Sequence, residues 1–76
     1  MKATVLKDRI YYMNVKGHPE QINQVYDEVE KMVEKGNIKR DLDNVYIFSI
    51  SQLFVNDLAE YLLKKYKLIT IRTLKA

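Results

Sequence analysis

The stretch DNVYIFSISQLFVNDL, residues 43–58, decides the fold. Val45 to Ile50 is apolar on both faces, the pattern of a central strand flanked by neighbours. Ser49 and Ser51 both suit the N-cap of a helix, since a serine hydroxyl can accept from a free N–H of the first turn. Beyond them Leu53, Phe54, Val55, Leu58, Leu62, Leu63 and Tyr66 recur at helical spacing and cover a wide apolar face. The segment therefore predicts a strand running straight into a helix that ends near Tyr66. Lys64, Lys65 and Lys67 close that helix, where positive charge complements the C-terminal end of the dipole.

The flanks extend the pattern. Leu68 to Leu74 alternates, with Ile69 and Ile71 on one face and Thr70 and Arg72 on the other, as in a half-buried strand. On the N-terminal side Lys39 to Asn44 is charged and fits either a loop or a short exposed strand. Upstream, Ile22, Val25, Tyr26, Val29, Met32 and Val33 form one stripe on a helix expected over residues 19–35. Pro19 suits its first position, Glu20 its first turn, and Gly36-Asn37 its C-terminal cap. Residues 3–7 and 9–15, rich in Val, Ile, Thr and Tyr, are expected to pair as a β-hairpin across Lys7-Asp8-Arg9.

The expected order is β-β-α-β-α-β, in an α/β chain of the α+β two-layer sandwich type. Right-handed crossovers place both helices on one face of a small mixed sheet. The other sheet face is left open, with Tyr11 or Tyr12 and Arg72 on it, and an open face of that kind invites a partner.

The 76 residues make one domain, residues 1–76, and a chain of that length buries only about 60% of its unfolded surface. It contains no cysteine and a single histidine, so disulfides, thiolate metal sites and multi-histidine sites are excluded within one chain. No metal and no cofactor is expected. Self-association is the remaining means of enlarging a small core, which makes a homodimer the expected state. No apolar run approaches the ~20 residues of a membrane span, and the N-terminus lacks a signal-peptide core, so a cytoplasmic protein with no membrane partner is expected.

Charge is uneven although the net value is +3. Residues 19–35 carry −3 and residues 61–76 carry +5. Two readings stand: a basic surface that meets phosphates, or a solvated surface with capped helix ends. The first nominates Lys64, Lys65, Lys67, Arg72 and Lys75 as nucleic-acid contacts, with Tyr11 and Tyr12 stacking on bases. His18 reads as a surface or capping residue at the helix start, and Asp41 and Asp43 as turn or capping residues. No nucleophile-base pairing is legible, so no catalytic residue is nominated and an enzyme is not expected.

The segment RDLDNVYIFSISQL, residues 40–53, resembles a stretch of STAS domains, which include the anti-sigma-factor antagonists. Asp41-Leu42-Asp43-Asn44-Val45 and Ile47-Phe48-Ser49-Ile50-Ser51-Gln52-Leu53 keep the spacing of that family's serine-bearing turn into a helix. KDRIYYMNVKGHPE, residues 7–20, is similar to its hairpin ending in a glycine before the first helix. The likeness spans roughly residues 5–71; Gln52 stands where the family has glycine, and Ile50 where it has a serine. It implies a regulatory protein-binding module in which Ser51 is the phosphorylatable serine at a helix start. Read from the residues alone, Ser51 is an N-cap contributing about 1 kcal/mol. The function expected is thus a non-catalytic, self-associating interaction or regulatory module, with a small basic nucleic-acid-binding protein as the alternative.

Overall fold

In Tyr11–Gly17 the side chains alternate sharply: Met13 and Val15 are wholly buried while Lys16 is exposed. That strand, β1, is the second half of the expected hairpin, displaced by two residues. The computed structural model describes residues 10–32 and 37–75; the hairpin's other half, residues 3–7, lies outside them, as does the expected glycine cap at Gly36. The elements that follow are α1 (Pro19–Met32), β2 (Ile38–Asp41), β3 (Asn44–Ser49), α2 (Gln52–Lys65) and β4 (Ile69–Lys75). The order is therefore β-α-β-β-α-β. The charged stretch left open as loop or strand is β2, joined to β3 by the two residues Leu42 and Asp43.

Each helix start has a cap that the local sequence supplies. Pro19 opens α1, and the His18 ring nitrogen Nδ1 accepts from the Glu20 N–H at 3.3 Å. Ser51 caps α2 in an extended conformation, and its Oγ accepts from the Phe54 N–H at 3.1 Å. Ser49, the other candidate, stands one step behind, its Oγ accepting from the Ser51 N–H at 2.9 Å. The two serines together turn the chain from strand to helix by satisfying backbone donors that neither ladder reaches.

The four strands lie in the order β2-β3-β1-β4, and every neighbouring pair is antiparallel. A mixed sheet was expected from the helical crossovers. The crossovers are present, but each passes over one strand: α1 links β1 to β2 across β3, and α2 links β3 to β4 across β1. Strands joined by a helix run the same way without touching, and those that touch run opposite ways. This is the split β-α-β, or ferredoxin-like, topology. β2 forms one edge; Lys39, Arg40 and Asp41 on it are exposed, charges that discourage further strand pairing.

The core fills one side of the sheet. Met13, Val15, Val45 and Ile47 from the two central strands meet Ile22, Val25 and Val29 of α1 and Val55, Leu58 and Leu62 of α2. Both helices thus cover the same face, as expected. Among the described residues no helix lies on the opposite face.

Candidate nucleic-acid interface on the open sheet face

Register alone assigns the side chains of the uncovered face. They are the residues alternate to the buried ones, and the antiparallel pairing sorts them into rows across the sheet. The first row is apolar: Phe48 on β3, Tyr12 on β1 and Leu74 on β4. The second is Lys39 on β2, Tyr46 on β3, Asn14 on β1 and Arg72 on β4. The third is Asp41, Asn44, Lys16 and Thr70, in the same strand order. The face is graded from aromatic to polar along the strands, and its charged groups are three cations and one carboxylate.

The aromatic side chains are arranged to be used. Tyr12 and Phe48 have ring centroids 6.0 Å apart with planes inclined by 35°. With Tyr46 they are half-buried, each resting on its strand neighbours while part of the ring faces water. Lys16, Lys39 and Arg72 around them are exposed, and none of the three is in an ion pair among the described residues. Asn14, Lys16, Thr70 and Arg72 line a hollow of about 360 Å³ at the β1–β4 side.

Of the residues nominated from sequence, Tyr12 and Arg72 lie on this face. Tyr11 does not: it alternates with Tyr12 and packs beside the core under the helices. Lys64 and Lys65 lie in the last turn of α2, in the other layer, and Lys67 is exposed in the connection to β4. Lys75 pairs with Tyr11 in the strand register. The basic C-terminal segment therefore does not form one surface. The sheet replaces it with Lys16, Lys39, Tyr46, Phe48 and Asn14, which sequence reasoning missed. The signal was present in β3, where aromatic Tyr46 and Phe48 share one parity and aliphatic Val45 and Ile47 the other.

Lys65 instead belongs to a cluster that ties the helices together. The Glu28 carboxylate of α1 accepts from Lys65 Nζ at 3.1 Å, from the Tyr66 hydroxyl at 2.7 Å, and from the Tyr61 hydroxyl. The Tyr61 hydrogen bond first, then those from Tyr66 and Lys65, hold the Glu28 carboxyl below its ordinary range despite partial burial. Hydrogen bonding to Glu28 raises the Lys65 ammonium, and burial with the same carboxylate pushes Tyr66 up to about 12. Glu28's contribution is complete above the ordinary carboxylate pKa and is lost as pH falls through its lower folded value; Tyr66's is complete below the ordinary phenol pKa and is lost as pH rises through about 12. Thermal unfolding followed from about pH 3 to 7 should therefore show a stabilising component, rising with pH, that Glu28→Gln lacks. Equal pH slopes for both proteins would contradict this assignment.

Beside the first aromatic row lies an apolar groove of about 570 Å³, lined in part by Met32, Phe48, Ile50, Ser51 and Phe54. Met32 and Ile50 in its lining are 49% and 65% exposed. Among the described residues no group of three or more His, Cys, Asp or Glu is placed to hold a metal ion, and no helix is long and apolar enough to cross a membrane. Comparison of the chain with protein-family models, with curated proteins and with solved structures finds no match.

Proposed function

We propose that this protein is a non-catalytic, cytoplasmic binder of single-stranded nucleic acid that uses its uncovered sheet face. The observation carrying the proposal is the juxtaposition of Tyr12, Tyr46 and Phe48 on the two central strands with Lys39 and Arg72 at the two edges. Aromatic rings on a four-stranded sheet can stack two or three unpaired bases. The span from β2 to β4 is about 14 Å, three strand spacings of ~4.8 Å, so a short run of strand laid across the rings meets a cation at each end. A paired duplex offers no exposed base faces, so single strands are the preferred substrate.

Fluorescence anisotropy with short single-stranded and duplex oligonucleotides tests the proposal. At about 50 mM salt, single strands should bind at micromolar protein, and affinity should fall steeply as salt rises, reflecting release of counterions. No binding at that salt, or tighter binding of duplex, would overturn it.

A second reading is favoured by one observation, the exposed Met32 and Ile50 that line the apolar groove. Here the protein is a self-associating interaction module that pairs through this end of the molecule. Ser51, exposed on the same groove, is then the position where a phosphate would place charge in the contact. Light scattering on the samples used for binding separates the readings: a dimer that Ile50→Glu dissociates supports the second, and a monomer at high concentration removes it.

A further inference from the structure

We propose that β4 is a self-pairing edge, along which two copies of this chain join their sheets into one. The inference goes beyond both readings above, since it concerns neither the open face nor the groove. The His18 N–H donates to the Leu68 carbonyl, one step beyond the register pair Gly17–Ile69. Bonded and unbonded pairs alternate in an antiparallel ladder. The bonded pairs between β1 and β4 are therefore Lys16–Thr70, Asn14–Arg72 and Tyr12–Leu74. Thr70, Arg72 and Leu74 turn their backbone groups toward β1. Those of Ile69, Ile71 and Thr73 point the other way, off the end of the sheet, and no strand among the described residues meets them.

The two edges of the sheet are not alike. β2 has four residues, three of them exposed charges. β4 has seven, pairs with β1 along its whole length without a bulge, and contains neither proline nor glycine. An edge of that kind is a template for another strand. Symmetry and side chains say which strand it fits. A two-fold axis normal to the sheet keeps every residue on its own face, so β4 pairs antiparallel with itself only about a residue, never between two. An axis at Arg72 sets two guanidinium groups against each other, which like charges disfavour. An axis at Thr73 sets Ile71 against Lys75. An axis at Ile71 sets it against Ile71 of the second copy, Ile69 against Thr73, and Thr70 against Arg72. Ile71 is half-buried and packs on the core, so this register closes the two side chains over one another as a β-branched pair. It also brings Ile69, Ile71 and Thr73 of both copies into bonded pairs. The joined sheet keeps its helices on one side and has a continuous open face on the other.

The chain has no cysteine, so single cysteines read the register directly. Bonded partners stand about 5.5 Å apart at Cα, within the ~4.4–6.8 Å that a disulfide spans. Ile71→Cys should therefore couple under mild oxidation to a covalent dimer. Thr73→Cys, whose counterpart lies roughly 14 Å away, should couple at least about 10-fold more slowly. By light scattering at millimolar protein the native chain should be a dimer. Thr73→Pro removes an outward N–H from each copy and leaves the ladder with β1 whole, the side on which an edge strand accepts proline. It should raise the dimer Kd at least about 10-fold with circular dichroism unchanged, whereas Ile50→Glu in the groove should leave the dimer intact. A native monomer at that concentration, Thr73→Cys coupling as fast as Ile71→Cys, or a dimer that Ile50→Glu dissociates and a folded Thr73→Pro does not, would overturn the assignment. Should the proline variant fail to fold, the two cysteine variants alone decide.

Discussion

Replacing Tyr12, Tyr46 and Phe48 together by alanine should abolish most single-strand affinity while the fold survives. Each stacked base is worth about 1–3 kcal/mol by alanine substitution. With two or three bases stacked, the loss is at least about 2 kcal/mol, or roughly 30-fold in Kd. The cations are untouched, so the residual binding should keep its dependence on salt. The three rings lie on the side of the sheet away from the core formed by Met13, Val15, Val45 and Ile47. Circular dichroism should therefore still report both helices. Anisotropy titration of the triple variant against the native protein checks the expectation. An unchanged Kd would show that the strand binds elsewhere, and Tyr12→Phe, which keeps the ring, should bind nearly as well as the native protein.

The largest single effect on stability is expected at Gly17, where β1 ends against the start of β4. A Cβ built there would lie 2.3 Å from the Leu68 carbonyl oxygen and 2.8 Å from the Ile69 Cα. Both obstacles are backbone, so no rotamer change relieves them. The same carbonyl accepts from the His18 N–H at 3.1 Å, and displacing it disturbs the first turn of α1 as well as the strand pair. Forced overpacking of a tight site costs about 1–3 kcal/mol and occasionally more; with two backbone clashes Gly17→Ala should lie at the upper end, about 3 kcal/mol. Urea unfolding should show a lower midpoint with an unchanged slope. Lys16→Ala, one residue away and exposed, should move the midpoint little. A native-like midpoint for Gly17→Ala would mean that the strands separate here at little cost.

How much of this was legible in the sequence follows from period and polarity. Both helices announced themselves because Ile22, Val25 and Val29, and Val55, Leu58 and Leu62, repeat at helical spacing and do face the core. Ser51 was legible as a cap for a local reason, since its partner, the Phe54 N–H, is three residues away. β2 was obscured because edge strands need little apolar content: Ile38 alone of its four residues is buried, and charge dominates the rest. Strand direction was not legible, because it depends on which strands end up adjacent, and periodicity carries no information about that. The interface was half legible for the same reason. Arg72 could be assigned to an open face by alternation, with either Tyr11 or Tyr12 beside it, but Tyr46, Lys39 and Asn14 join them only through cross-strand register. Grouping basic residues by nearness along the chain misled, because the turn after α2 sends Lys64 and Lys65 to one layer and Arg72 to the other.

The interleaving of the two crossovers has a consequence for how the chain comes to be structured. Among the described residues β1 pairs only with β3 and β4, and β2 only with β3, so the described segment from β1 through β2 contains no strand pair of its own. A ribosome that has released only that segment has given its two strands no ladder to close with each other, and the hairpin of β2 and β3 is the earliest ladder among the described strands. The central strand must wait for partners encoded well downstream, the last of them beyond the second helix. Such remote matchmaking slows folding relative to a helical bundle of the same length. It also means that cutting the protein between β2 and β3 should yield two fragments that are each unstructured alone.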